Sequence, residues 1–290
     1  MNLDTLSGAP PRTDAGLRPT ADTQAGTAAN PPGILLEARG LRKSFGGVRA
    51  VRGISLAIPA DGVFALIGPN GAGKSTMMNL LSGAYQPNEG EILFNGRNLV
   101  GTPAYARARL GIARTFQSIR LFKQLSVAEN VMAGFYVHRD VPWWQYVFPG
   151  RRARQNTADC RRETLELLQL VGLDALAARR AGTLAYGQQR MLEIARAMAT
   201  QPRLLLLDEP AAGLNSTEVQ FLLELIGKLR RRGVTVVVVE HNMDLVMTVA
   251  DHVFVMDHGE YLFQGKPHEV QTDEGVIAAY LGGQRKEAAA

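Results

Sequence analysis

Residues 68–76 read "GPNGAGKST", and few stretches of that length leave a chain so little choice of fold. The stretch matches G-x-x-x-x-G-K-[ST], the phosphate-binding loop. It follows the apolar run "GVFALI" and precedes "STMMNLLSG", so it is expected to join a buried strand to a helix. Gly68, Gly71 and Gly73 let the backbone curl until its N–H groups converge on phosphate oxygens. Pro69, Asn70 and Ala72 complete the loop, and the helix behind it adds the partial positive charge of its N-terminus. Lys74 supplies a point charge for β- and γ-phosphates, the Ser75 hydroxyl can coordinate Mg²⁺, and Thr76 closes the motif. A glycine-rich turn with a chance lysine is the competing reading, and the strand–loop–helix context weighs heavily against it.

"LLLLDEP" at 204–210 is the second element. Four apolar residues predict a buried strand that ends in two carboxylates, at the sheet edge where α/β folds bind ligands. Asp208 there is placed to reach Mg²⁺ through water, and Glu209 to polarise an attacking water. Three single residues are weaker signals. His241 ends the run "VTVVVVEH", where a histidine is more often structural than catalytic, although beside a γ-phosphate it can bond and sense it. Gln117 ends "RTFQ", within reach of Mg²⁺ or the attacking water. Phe45, in "KSFGG", is ordinarily a core residue but can stack on adenine. Their order relative to the phosphate loop, rather than any one of them, gives them weight.

Residues 1–33 are rich in Ala, Thr, Gly and Pro and are expected to form a disordered tail. The folded region is expected over 34–285, with 286–290 a disordered end. Short β-rich runs, "ILLEARGL", "ISLAIP", "GVFALIG" and "EILFNGRNL", open it, and "LGIARTFQ" at 110–117 reads as another strand. Residues of about 118–200 read as helical. "SVAEN" predicts a capping box from Ser126 to Glu129, a long helix is expected from about Ala153 to Val171, and another follows Gly187. A helix over Ser216–Arg231, with Asn215 as N-cap, separates two apolar strands, and that alternation indicates a parallel sheet covered on both faces. "HVFVMDHGEYLFQG" reads as a hairpin turning at His258-Gly259. No apolar run approaches the ~20 residues needed to span a bilayer, and the N-terminus lacks a signal-peptide pattern. The one cysteine, Cys160, fits a reducing compartment, so the chain is expected to stay inside the cell. A net charge of +5 selects no partner by itself.

Residues 184–190, "LAYGQQR", hold no nucleophile, acid or metal ligand, yet with the other motifs they complete a pattern. The phosphate loop, Gln117, "LAYGQQR", "LLLLDEP" and His241 occur in the order of ATP-binding-cassette (ABC) ATPases, and the resemblance spans about residues 34–285. It implies an α/β P-loop NTPase fold of the ABC ATPase type. That fold has a mainly parallel core sheet, an antiparallel β subdomain and a helical subdomain carrying the signature motif. It implies ATP and Mg²⁺ as ligands, with Ser75, Gln117 and Asp208 on the metal. By the same resemblance Leu184, Ala185, Tyr186, Gly187 and Gln188 are the signature, facing the ATP held by a second ATPase subunit. The usual signature is Leu-Ser-Gly-Gly-Gln. Ala185 lacks the serine hydroxyl, and Asn215 stands where an Asp is usual.

These departures, with "EHNMDLVM" at 240–247 and "GKPHEVQTDEGVIAAYLG" near the end, closely resemble ATP-binding subunits of branched-chain amino-acid importers. That resemblance implies a non-identical ATPase partner, two transmembrane permease subunits and, indirectly, an external solute-binding protein. It implies no nucleic acid, and a peripheral place on the inner face of the cell membrane through the permeases. A single-cassette ATPase of iron–sulphur assembly and the ATPase of a lipid or lipopolysaccharide exporter are the competing readings. The insert at 136–155, with Trp143, Trp144, Tyr146 and Phe148 before Arg151, Arg152 and Arg154, reads either as packing within the helical subdomain or as a contact with permease or lipid headgroups.

Overall fold

The computed structural model describes residues 33–138 and 151–287. Strands β1 (Ile34–Phe45) and β2 (Val48–Pro59) form a long antiparallel hairpin. The chain then enters a second sheet as β3 (Val63–Ile67), turns through the phosphate loop into α1 (Lys74–Ser82), and returns to the first sheet as β4 (Glu89–Phe94) and β5 (Arg97–Asn98). The first sheet is antiparallel, in the order β2-β1-β4-β5. After α2 (Ala104–Arg109) and β6 (Ile112–Arg114), the next α-helices among the described residues are α3 (Val127–Phe135), α4 (Arg151–Leu170) and α5 (Tyr186–Met198). The rest alternates: β7 (Leu204–Asp208), α6 (Ser216–Arg231), β8 (Thr235–Val239), α7 (Met243–Val249), β9 (His252–Asp257), β10 (Glu260–Gly265), α8 (Pro267–Thr272) and α9 (Glu274–Glu287).

The second sheet has the order β10-β9-β3-β8-β7-β6. Its pairings are parallel except that of β10 with β9. Every residue of β3, β7 and β8 is buried, which is why their sequences are unbroken apolar runs instead of alternating ones. The C-terminal ends of β3 and β7 deliver the phosphate loop and the Asp208-Glu209 pair to one edge of the sheet, with His241 following β8 there.

The expected capping box and the expected Asn215 N-cap both form. The Ser126 side chain accepts from the Glu129 N–H at 3.2 Å, and Asn215 accepts from Glu218 at 3.0 Å. The strand expected over 110–117 is only Ile112–Arg114. Leu110 caps the end of α2, and the backbone of Phe116 and Gln117 bonds to side chains instead of a neighbouring strand. Helix α4 begins at Arg151 and ends at Leu170, α5 starts at Tyr186, and α9 runs to Glu287, two residues into the end expected to be disordered. The tail before Gly33, the aromatic residues Trp143, Trp144, Tyr146 and Phe148, and residues 288–290 lie outside the described residues.

Arg107 fixes the far end of α1. Its side chain is wholly buried and donates to the carbonyls of Leu80 (2.7 Å), Leu81 (3.0 Å), Leu99 (2.8 Å) and Thr102 (3.0 Å). Two of these are last-turn carbonyls that a helix cannot bond internally. Burial draws its pKa down to about 10, still well within the charged range, so a full positive charge faces the negative end of the helix dipole.

Candidate nucleotide site

Two glycines of the loop are dictated by close approach. A Cβ on Gly68 (φ 149°) would stand 2.0 Å from the Met256 carbonyl oxygen, and one on Gly73 (φ 97°) 2.4 Å from that of Ala50. The loop is braced from outside by the β9–β10 turn, where the Gly259 N–H donates to the Ala72 carbonyl at 3.0 Å. Lys74 is buried, and its Nζ donates to the carbonyls of Gly68 (2.7 Å) and Pro69 (3.0 Å). Burial lowers its pKa, while the charges of Glu209 and Asp208 pull the other way.

Asn70, Gly71, Ala72, Gly73 and Lys74 line a cavity of about 590 Å³ whose walls also carry Ser75, Thr76, Gln117, Glu209 and His241, while Gly68, Pro69 and Asp208 lie off it. Residues far apart in sequence meet here. Glu209 Oε1 lies 2.6 Å from His241 Nε2, and Glu209 Oε2 accepts from Gln117 Nε2 at 3.1 Å. Glu209 adopts φ 48°, a left-handed conformation that L side chains take at a cost. Its N–H donates to the Val239 carbonyl at 2.9 Å, which locks the strand end and swings the carboxylate toward the cavity wall. The buried Glu240 fixes the neighbouring loops by accepting from the Ala211 N–H (2.7 Å) and the His241 N–H (3.2 Å), and burial raises its pKa.

Asp208 is buried and ion-paired with Arg114 Nη2 at 2.9 Å. Arg114 also donates to Asn79 Oδ1 (2.6 Å) and Ser82 Oγ (3.0 Å) on α1. The guanidinium thus ties the acidic strand end to the phosphate-loop helix. Phe45 is not on the cavity wall. It ends β1, half-exposed, with its ring edge-on to Tyr85 at 5.2 Å and Lys43 Nζ 5.2 Å from its centroid. Val48, its partner across the hairpin turn, does line the cavity.

None of residues 184–188 lines this cavity. Leu184 and Gly187 are buried, the latter against Glu218, whose Oε1 would stand 2.1 Å from a Cβ at that position. Ala185 is the N-cap of α5, and Gln188 Oε1 accepts its N–H at 3.2 Å. Tyr186 is half-exposed. One turn on, the sequence reading missed a feature. Arg190 and Glu193 are buried and paired at 2.9 Å. Arg190 donates to the carbonyls of Phe116 (2.7 Å) and Gln117 (3.0 Å), while Glu193 accepts from the N–H groups of Phe116 and Arg120, both at 3.4 Å. The signature helix therefore grips the backbone on which Gln117 sits. Arg114, Arg190 and Glu240 share one reason for escaping notice: most of their partners are main-chain groups or lie tens of residues away. The spacing of Arg190 and Glu193 on one helix was the single local signal.

The donor set suits a nucleotide with Mg²⁺: a curled loop that admits no Cβ at two positions, a buried lysine, a hydroxyl and carboxylates at one sheet edge. Residues 51–212 match the family model for the ABC transporter, and residues 262–286 that for the branched-chain amino acid ATP-binding cassette transporter. The chain is 45% identical over 249 residues to the high-affinity branched-chain amino acid transport ATP-binding protein BraF of Pseudomonas aeruginosa, covering 86% of this chain and 98% of that one. It is 41% identical, over the same shares, to the corresponding LivG protein of Escherichia coli. Among solved structures, an ATP-binding cassette of an ABC transporter in its ADP conformation superposes with a TM-score of 0.75 at 28% identity, covering 86% of this chain and 99% of the other. A nucleotide-free cassette superposes with a TM-score of 0.74, also at 28% identity, covering 85% and 98%. The chain belongs to the ATP-binding subunits of ABC transporters, as an ATP hydrolase coupled to transport and a close relative of the branched-chain amino-acid importer ATPases.

Proposed function

We propose that this chain powers the import of branched-chain amino acids and that Glu209, Gln117 and His241 run hydrolysis at the phosphate loop. The observation that carries the reading is their convergence on one wall of the Lys74 cavity. The loop N–H groups and Lys74 bind and orient the triphosphate. Glu209 polarises the attacking water and takes its proton at a carboxylate oxygen, and its hydrogen bonds to His241 and Gln117 hold it in place. Mg²⁺, when bound, neutralises charge on the phosphate oxygens, and Ser75, Gln117 and Asp208 are the residues to hold it. Phe45 stacks on the adenine from the rim. Residues 184–188 cap the nucleotide of a second ATPase subunit.

The permeases bind at a second hollow, about 760 Å³, between the core sheet and the helical layer. Its apolar walls, including Ala104, Ala108 and Phe122, are edged by Arg120 and Arg196, a lining that suits an amphipathic helix carrying a carboxylate. Among the described residues no helix is long and apolar enough to cross a membrane, so the path for solute would lie in those partners. The match at 262–286 sides with amino-acid import over iron–sulphur assembly or lipid export.

Lys74→Ala tests both halves of the reading. It should abolish ATP binding by the purified chain and, in cells, uptake of labelled leucine that isoleucine and valine compete for. Wild-type ATP affinity would remove the site assignment. Lost binding with undiminished uptake would remove the solute assignment alone.

A further inference from the structure

The chain that leaves α1 grips the last residues of β1 one after another, and the chemistry above gives that grip no task. Lys43 Nζ donates to the Gln86 carbonyl at 2.8 Å, and the Ser44 N–H donates to Asn88 Oδ1, also at 2.8 Å. The Phe45 ring meets the ring of Tyr85 with centroids 5.2 Å apart and planes inclined at 67°. Tyr85 is itself tied to the phosphate-loop helix, since its N–H donates to the Asn79 carbonyl of α1 at 3.0 Å.

Lys43 joins the two rings. Its Nζ lies 5.2 Å from the Phe45 centroid and 6.0 Å from that of Tyr85, within the range of a cation–π contact, and the hydrogen bond to Gln86 holds the ammonium there. Both rings are half-exposed, so the arrangement is no part of the buried core. The turn after Phe45 is Gly46-Gly47, which has no side chain to steady the ring. A phenylalanine left free at such a turn samples several rotamers, and a bound base would have to select one at an entropic cost. The edge-on contact and the ammonium restrict that choice while part of the ring surface stays open.

We infer that Tyr85 and Lys43 are positioning residues for Phe45: they hold its ring at the cavity rim in the orientation that receives the base of the nucleotide. The inference rests on reading Phe45 as the residue that stacks on adenine. Val48, paired with Phe45 across the turn, lines the cavity, which places the ring at its mouth. Helix α1 begins at Lys74 and ends at Ser82, and Tyr85 follows closely. One continuous stretch of chain therefore carries the lysine for the phosphates at its start and the support for the base platform at its end.

Tyr85→Ala in the full-length chain removes the ring and keeps the backbone bond to Asn79. Its ATP affinity should fall about 5-fold, the worth of one aromatic pair, while its affinity for inorganic tripolyphosphate, which has no base, should stay at the wild-type value. Tyr85→Phe keeps the ring and should bind ATP like the wild type, and Lys43→Met should show a loss of the same kind as Tyr85→Ala. Wild-type ATP affinity in Tyr85→Ala would overturn the inference. An equal loss of ATP and tripolyphosphate would overturn it too, because it would mark a structural role at the phosphate-loop helix. Phe45→Ala is the control. It should weaken ATP binding, and adding Tyr85→Ala to it should cost nothing more, whereas a further loss would show that Tyr85 acts apart from Phe45. If Phe45→Ala weakens ATP binding and Tyr85→Ala does not, only the positioning role falls. If Phe45→Ala binds ATP like the wild type, the stacking assignment fails and the inference goes with it.

Discussion

Arg107, Arg114 and Arg190 all carry charge into the interior, and they do so by different means. Arg114 and Arg190 have carboxylate partners, Asp208 and Glu193. Arg107 instead bonds four main-chain carbonyls. In the sequence all three look like residues for a solvated surface, because side chain-to-backbone bonds leave no local pattern. Gln117, Glu209 and His241 were legible for the opposite reason: Glu209 and His241 follow apolar runs, and all three stand in a fixed order relative to the phosphate loop. Arg107→Met should remove the guanidinium and leave the Leu81 carbonyl of α1 and the Leu99 carbonyl without it, while Leu80 keeps the Gly83 N–H. The expected loss is roughly 3 kcal/mol of unfolding free energy, the range for hydrogen bonds to a buried charge. Urea denaturation would read it as a lower midpoint with unchanged slope. A midpoint within experimental error of wild type would mean that water replaces the guanidinium at no cost.

Helix α5 is the element where amphipathic reading succeeds and misleads at once. Its apolar positions Met191, Leu192, Ile194, Ala195 and Met198 are all buried, as the spacing predicts. Arg190 and Glu193, which the same pattern assigns to solvent, are buried as well. The helix packs on α3 and α4 and also braces the segment after β6, which is why the strand expected through Gln117 stops at Arg114. Burial raises the pKa of Glu193 even beside Arg190, so the pair is held by geometry at some electrostatic cost. Arg190→Met should release the Phe116 and Gln117 carbonyls and let Gln117 leave Glu209. Steady-state kinetics of the assembled ATPase should then show kcat down at least about 10-fold, with the KM for ATP little changed, since Glu209 loses its positioning for the chemical step while the phosphate loop is untouched. The same loss in a Gln117→Ala background would be absent if Arg190 acts through Gln117. Additive losses would show that Arg190 serves only packing.

At the scale of the whole molecule, the two ends of the chemistry face different ways. The phosphate loop, Gln117, Glu209 and His241 share one cavity, while residues 184–188 lie off it. The start of α5 cannot bond its own first-turn N–H groups within the helix, and the Glu218 carboxylate packs against Gly187 there. The layered α/β architecture was legible from unbroken apolar strands alternating with amphipathic helices. Residues 184–188 were legible only through the family resemblance, and the complement proposed for them is the nucleotide of another subunit. Replacing Glu209 with Gln tests whether that complement is a bound nucleotide. The substitution keeps shape and hydrogen bonding but removes the proton acceptor, and loss of a general base typically slows a reaction by ~10²–10⁴-fold. ATP binding should survive, because Lys74 and the loop N–H groups are untouched. Unhydrolysed ATP would then stay between the loop of one subunit and "LAYGQQR" of the other. Size-exclusion chromatography of Glu209→Gln with its partner ATPase should show a stable pair in Mg·ATP that separates in Mg·ADP. Rapid hydrolysis by the variant would take the catalytic role from Glu209. Slow hydrolysis without ATP-dependent pairing would leave that role in place and remove residues 184–190 from the partner's nucleotide.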